Sequence, residues 1–378
     1  MSAPMRILFL DSSPFCGGAQ ESFWSLAEAL PTERFQVLLL SADHSNAGLL
    51  ARAQANGLAS QAFFARHWSF SGSGLWQFCG DFLRFHSVLK QMQDEFQPDL
   101  IHANCLRSLL LLSRRRCRGV PLLLHDRDIR CPALLPRLLG GRLHMLAAVS
   151  GAAAEKWQGL LAPERIRVIA NGFSLPPFFP AEHVSSPGGT FTLLQVADFV
   201  AWKNHRLFLQ VIRSLVGRIP GLKGVIRGRV RTAAEEKLRQ QIEQERQQLG
   251  LTEIVEIIDS PGSAIKELSQ ADILLSCAEA EPFGRVLIEA LALGKVVVAV
   301  AGGGPSEILA GGQAGSLCPA QAEALAAAVL GWYEQGKFRK AATAARAVAE
   351  RYSLSAHVQA ITGLYAELAA EKVQSFKP

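Results

Sequence analysis

The sequence predicts an α/β chain of two domains, each a parallel sheet covered by helices on both faces. Three observations point there. The chain has 378 residues, more than one hydrophobic core ordinarily organises. Short apolar runs alternate with helical patterns along most of its length, as parallel strands joined by helical crossovers require. One stretch, "FSLPPFFPAEHVSSPGGT", is rich in Pro, Gly and Ser, lacks periodicity and reads as an interdomain linker. The expected domains are residues 1–175 and 191–355, with the linker at 176–190 and a C-terminal helix at 356–378 returning to the first domain.

The elements follow in order. "RILFL" is a buried first strand, too short and too soon closed by Asp11 to be a signal peptide. A glycine turn leads to the amphipathic "AQESFWSLAEAL" and the strand "FQVLLLSA". "DLIHAN", "PLLLHD" and "MLAAVS" are further apolar runs, each ending in a polar residue. That end matters, because ligands of open α/β sheets bind beyond the carboxyl ends of the strands. After the linker, "FTLLQVADF", "GLKGVIRG", "EIVEIID", "ADILLSC" and "KVVVAVA" read as strands, and residues from about 321 to 371 are Ala-rich and helical. Internal repeats are absent.

Composition narrows the function classes. Hydrophobic residues at 49% against 19% charged describe folded domains rather than disorder. Lys and Arg exceed Asp and Glu by 39 to 33, a weak bias toward anionic ligands or an acidic membrane surface. Seven scattered cysteines without a C-x-x-C pair fit reduced thiols in a cytoplasm better than zinc or a disulfide framework. No run of about 18 apolar residues predicts a membrane span. In "GLWQFCGDFLRFHSVLKQM", Trp76, Phe78, Phe82, Phe85 and Leu89 recur at helical spacing among Arg84, His86 and Lys90. "SRRRCRG" adds Arg114, Arg115, Arg116 and Arg118. A core-facing helix with a solvated basic loop is the commoner outcome of such a pattern. A peripheral contact with the anionic inner face of a membrane is the alternative. Nucleic acid is not an expected partner, since neither a reading module nor a broad basic run occurs.

The densest chemistry lies in "EAEPFGRVLIEALALG", one residue beyond "ADILLSC". Pro282 suits the first position of a helix that Gly294 would end. The N–H groups of Phe283 and Gly284 would then face an anion or hydroxyl at the positive helix end. Glu281 would precede the helix and Glu289 lie two turns inside it, at most about 12 Å apart along the axis. Such a pair can accept hydrogen bonds from both ends of one hydroxyl-bearing ligand, although two exposed glutamates on a helix look the same in sequence.

The run "AEAEPFGRVLIEALALGKVVVAVAGGGPSEIL" is similar to the family-4 retaining glycosyltransferases of the GT-B fold. Their signature, E-x7-E with Phe-Gly after the first Glu, then E-A-x-A-x-G, a strand and G-G-x-x-E, falls on Glu281, Phe283, Gly284, Glu289, Ala290, Ala292, Gly294, Gly303, Gly304 and Glu307. The resemblance covers nearly the whole chain. "FCGGAQ" near the N-terminus resembles the family's Gly-Gly-Ala-Glu loop, with Gln20 in place of the acid. "LIHAN" and "LLLHD" place His102 and His125 where the family ends strands with histidine, and Asn171–Gly172 resembles the turn that closes its first domain. "LLQVADFVAWKNH" aligns Lys203 with the family's diphosphate-neutralising lysine. The family's arginine falls on Asp198 and its glycine on Ala197, the clearest departure. Arg206, Arg227, Arg229 or Arg285 could supply the missing cation, and the sequence does not choose among them.

The resemblance implies two Rossmann-like domains facing across a cleft and retaining transfer of a sugar from a UDP- or GDP-sugar to an acceptor hydroxyl. No metal or other cofactor is implied; the nucleotide sugar is a co-substrate. His125, Lys203 and Glu281 are the expected catalytic set. Donor binding is expected of Gly17, Gly18, Lys203, Glu281, Pro282, Phe283, Gly284, Arg285, Val286 and Glu289. Glu281 would grip the sugar, Glu289 the nucleotide ribose, and His125 the sugar near its 6-position. A glycan or lipid-linked acceptor of cell-surface polysaccharide or glycolipid synthesis and a cytoplasmic location, peripheral to the inner membrane face, complete the expectation. Asp198 keeps open a weak or inactive homologue that binds nucleotide sugar or scaffolds a partner. An epimerase would share the fold, whereas a phosphorylase would need a pyridoxal-binding lysine segment and more length. A dinucleotide dehydrogenase is disfavoured by the first turn, which lacks G-x-G-x-x-G.

Overall fold

The computed structural model describes residues 3–43, 45, 48–65, 73–113, 117, 119–177 and 189–375. The chain forms two compact units, Met1–Phe173 with Leu354–Pro378, and Ser174–Ser353. Most of the expected linker, residues 178–188, lies outside the described residues, as do Arg114, Arg115, Arg116 and Arg118.

The first unit holds strands β1 (Met5–Asp11), β2 (Phe35–Ser41), β3 (Ser60–Ala62), β4 (Leu100–Ala103), β5 (Leu122–Asp126), β6 (Met145–Ala148) and β7 (Ile166–Val168). They pair in parallel in the order β3-β2-β1-β4-β5-β6-β7. Alternation along β1 sorts its side chains between two cores: Leu8 and Leu10 join one, Ile7 and Phe9 the other. The second core is covered by helix Gly18–Ala29 through Phe23 and Trp24, and by helix Leu354–Ser375 through Ile361, Leu364, Tyr365 and Leu368. Fully burying side chains of this size contributes roughly 1.5–3 kcal/mol each, which secures the C-terminal helix to this unit. Leu354 N–H donates to Phe173 O at 2.9 Å where the chain re-enters. Gly172 makes room for it, since a Cβ there would lie 2.5 Å from Cβ of His357.

Helix Ser73–Phe96 divides its stripe: Phe85, Leu89 and Met92 are buried in the first core, whereas Trp76 and Leu83 are exposed alongside Arg84 and Lys90. Among the described residues no helix is long and apolar enough to cross a membrane. The seven cysteines are thiols, with no disulfide among the described residues.

The second unit repeats the design with β8 (Phe191–Val196), β9 (Leu222–Gly228), β10 (Val255–Asp259), β11 (Ile273–Ser276), β12 (Val296–Val300) and β13 (Gly315–Cys318). These pair in parallel in the order β10-β9-β8-β11-β12-β13. Helices Ala322–Gln335 and Phe338–Glu350 complete it. The strand order reverses between β1 and β4 and between β8 and β11, the place where doubly wound sheets leave a crevice at their carboxyl ends.

Candidate active site

In the second unit the loops after β8 and β11 meet at such a reversal. The loop after β8 is firmly held. His205 Nε2 lies 3.2 Å from Ala197 O, its ring stacks on Phe199 at 5.2 Å, and burial lowers its pKa to about 4, so the imidazole is neutral. Asn204 takes the left-handed conformation, φ +50°, which Asn tolerates better than most residues, and its Oδ1 accepts from Leu207 N–H to cap helix His205–Leu215. Lys203, beside that cap, reaches across to form an ion pair with Glu281 from the β11 loop, the two side chains 20% and 12% exposed. The ammonium also sits 4.0 Å from the centroid of the Trp202 ring. Asn204 Nδ2 donates to Glu279 at 3.3 Å and ties the same loops together. The sequence places Lys203 and Glu281 in one site, and the structure brings them together.

The turn between Glu281 and the following helix corrects the expected register. The helix is Arg285–Ala292 and not one beginning at Pro282. Gly284 is its N-cap, in the left-handed region at φ +98°, so Pro282 and buried Phe283 belong to the approach turn. A helix cannot run through a left-handed residue, and this outweighs the preference of Pro for a first helical position. The helix-end donors are therefore those of Arg285 and Val286, because Leu287 N–H already bonds Gly284 O at 2.9 Å. Glu289 consequently lies little more than one turn in, 3.6 Å from Arg285. Gly294, at φ +73°, ends the helix as expected.

The approach turn is clamped by the Gly-Gly-Gly segment after β12. Gly304 N–H donates to Glu281 O at 2.9 Å. A Cβ on Gly304 would lie 2.1 Å from Phe283 O and 2.4 Å from Phe283 Cα, both backbone atoms. We expect Gly304→Ala to displace this turn and to cost ~1–3 kcal/mol of stability. Thermal unfolding and nucleotide binding measured together check it; an unchanged melting temperature would refute the clamp.

Asp198, where the family places arginine, is not a bare negative charge. Arg229 Nε and Nη2 grip its two oxygens at 3.0 and 3.2 Å, and Arg231 Nη2 approaches at 3.0 Å. Of the four arginines that sequence leaves open as the replacement cation, Arg229 alone bonds Asp198. Arg206 pairs with Glu245 on the surface, and Arg285 lies beside Glu289. Arg227 is buried against Glu267 and the carbonyls of residues 261–263. Arg231 was not among the sequence candidates; it lies in a loop segment without a motif to mark it.

The carboxyl ends of the first sheet carry a second polar cluster. Buried Asp11 accepts from Asn104 and, at 3.0 Å, from Gln20 Nε2. Gln20 Oε1 accepts from Gly17 N–H at 3.0 Å, fixing the start of helix Gly18–Ala29 with Gly17 as N-cap and Gly18 exposed. The amide suits this position: a glutamate at residue 20 would set a second carboxylate against Asp11. Arg127 joins the cluster to the rest of the sheet through Asn104 at 2.8 Å and through Asn171. Asn171 is buried and acts as a bonding partner inside this network.

His125 does not occupy an accessible position. It is 0% exposed, its ring stacked between His102 at 5.5 Å and His357 at 5.7 Å, with Nδ1 3.3 Å from Arg127. His102 in turn hydrogen-bonds Tyr365 OH at 2.7 Å. Burial, reinforced by the nearby Arg127 charge, holds His102 and His125 well below the usual histidine pKa, and both are neutral. The expected sugar contact thus becomes a packed support for Arg127, because helix Leu354–Ser375 covers the ring.

Residues 16–175 match the model described as Glycosyltransferase Family 4, and residues 181–347 match Glycosyl transferases group 1. No curated protein matches the chain. The structure is similar to HepE of Anabaena in complex with UDP and glucose, with TM-score 0.79, 21% identity, 96% of this chain and 100% of that chain covered. It is similar to a glycosyltransferase from Rickettsia africae, with TM-score 0.79, 18% identity and coverage of 97% and 99%. A sucrose-phosphate synthase from Thermosynechococcus elongatus gives TM-score 0.77 at 18% identity, covering 97% and 100%. At these identities the solved structures establish the fold, while the two family models span both units. The chain is a family-4-type glycosyltransferase of the GT-B fold, in the glycosyl transferases group 1.

Proposed function

We propose that the protein transfers a sugar from a UDP- or GDP-sugar to a glycan or lipid-linked acceptor hydroxyl, with retention at the anomeric carbon and without a metal ion. The carrying observation is the Lys203–Glu281 pair at the carboxyl edge of the second sheet, where the strand order reverses. HepE, bound to UDP, glucose and UDP-glucose in its solved complexes, supports a nucleotide sugar as donor. In this proposal Lys203 and the N–H groups of Arg285 and Val286 stabilise the departing diphosphate. Glu281 orients the sugar hydroxyls and Glu289 the ribose. The C–O bond to the diphosphate breaks, the acceptor oxygen bonds the anomeric carbon on the same face, and the leaving phosphate oxygen takes the acceptor's proton.

A panel of UDP-, GDP- and ADP-sugars with glycan acceptors tests this. Release of one nucleoside diphosphate and a product whose proton NMR coupling matches the donor anomer are expected; an inverted product would contradict retention. The non-catalytic alternative, motivated by Asp198, requires donor binding with neither hydrolysis nor transfer.

A further inference from the structure

Asp198 and Arg229 emerge side by side at the carboxyl ends of two neighbouring strands. Asp198 lies two residues beyond β8 and Arg229 one residue beyond β9, and the strands pair with Val196 opposite Arg227. Ala197 N–H bonds Arg227 O at 2.9 Å, so the ladder continues to the point where both side chains emerge. Gly228 allows the contact: a Cβ there would meet Ala197 O at 2.4 Å and the Phe199 ring at 2.9 Å. The loop that bears Asp198 also bears Lys203, with His205 bonded back to Ala197 O. Three neighbouring strands, β9, β8 and β11, therefore present at their carboxyl ends Arg229, then Asp198 and Lys203, then Glu281.

Each cation in this row is aimed by a carboxylate: Lys203 by Glu281, and Arg229 by Asp198 through a two-bond fork. Such a fork engages two of the five guanidinium N–H donors and fixes the plane of the rest. The Arg229 and Asp198 side chains are 27% and 25% exposed, so the charge is held at the surface of the sheet end and not sealed inside it. Arg231 is placed differently. Its Nη2 is shared at 3.0 Å between Asp198 and Glu235, whose carboxylate also accepts from Arg231 N–H and Thr232 N–H at the start of helix Ala233–Gln248. Arg231 therefore steadies the anchor between two carboxylates, while Asp198 fixes the plane of the Arg229 guanidinium.

We propose that Arg229 binds the donor diphosphate together with Lys203, and that Asp198 is the residue that positions it. The inference rests on the nucleotide-sugar reading above and specifies which group supplies the second positive charge. A diphosphate distributes its charge over two phosphoryl groups, which a compact ammonium and a planar guanidinium can engage at once.

The test compares UDP with UMP, since only UDP has the second phosphate. Calorimetric titration of the wild type comes first. Failure to bind UDP, GDP or ADP would reject the nucleotide reading itself, and this inference with it. Given wild-type binding, Arg229→Ala is expected to weaken UDP by roughly tenfold or more, the size of a lost charge-assisted contact, and to leave UMP nearly unchanged. Arg229→Lys should recover part of the difference, and Arg231→Ala should change the UDP-to-UMP ratio less than about threefold. Equal weakening of UDP and UMP in Arg229→Ala, or a lowered melting temperature with UDP affinity intact, would overturn the proposal and leave Arg229 a structural ion-pair partner.

Discussion

Lys203→Ala is expected to lower donor turnover by about 10²–10³-fold, the scale at which removing one preorganised charge-stabilising donor acts. Two effects combine. The ammonium that would face the leaving diphosphate is gone, and Glu281, 12% exposed and no longer paired with it, turns its negative charge toward that same region. The variant should also lose some stability, because removing one partner of a half-buried pair strands the other. Adding Glu281→Ala should restore stability, since no charge of the pair then remains, while activity stays lost. Turnover and thermal unfolding on the two single variants and the double variant separate these effects. Near wild-type turnover in Lys203→Ala would remove the pair from the mechanism.

The buried histidines of the first unit are expected to make the protein acid-sensitive above the carboxylate range. Burial lowers His357 from 6.5 to about 4, helped by the Arg127 charge and opposed by the hydrogen bond between Nδ1 and Ala170 O. A depressed folded-state pKa means that the unfolded chain takes up the proton first. The contribution of the neutral ring is therefore intact above pH 6.5 and is lost progressively as pH falls toward 4. For His357 alone the loss amounts to ~3 kcal/mol across that window. His102 and His125, stacked in the same row, add to it with the same sign. The opening equilibrium of helix Leu354–Ser375, read as its hydrogen-exchange rate divided by the intrinsic amide rate at each pH, should rise between pH 6.5 and pH 4, and His357→Gln should flatten the rise. Because His205 of the second unit is also held at about 4, the comparison is between variants and not between units. An opening equilibrium that is flat with pH, or that rises identically in His357→Gln, would refute this view of the cluster.

The strands legible in the sequence are those whose β-branched and aliphatic residues cluster in a short run closed by polar or turn residues, such as "RILFL", "DLIHAN" and "KVVVAVA". β3, Ser60–Ala62, and β13, Gly315–Cys318, are not, because three or four residues such as "SQA" and "GSLC" carry no period. Both are edge strands whose pairing is decided by their neighbours. The Glu281–Glu289 segment was legible as a site, but its helix start was not: Gly284 adopts positive φ where Gly304 packs against the preceding turn, a contact set by the end of β12. His125 was legible as a strand-end histidine. Its burial depends on a helix from the far end of the chain, which no local pattern announces. Asp198 looked like a defect for the same reason. Its partner Arg229 stands 31 residues away, and only the β8–β9 register places the two side by side and separates Arg229 from the other three candidates.

Whether a nucleoside diphosphate is held at Lys203 and Glu281 is read most directly by calorimetric titration of UDP, GDP and ADP into the wild-type protein and Lys203→Ala. Saturable binding of at least one diphosphate by the wild type, weakened at least roughly tenfold in the variant, is the expected result. Equal affinity in both proteins, or no binding by the wild type, would contradict it.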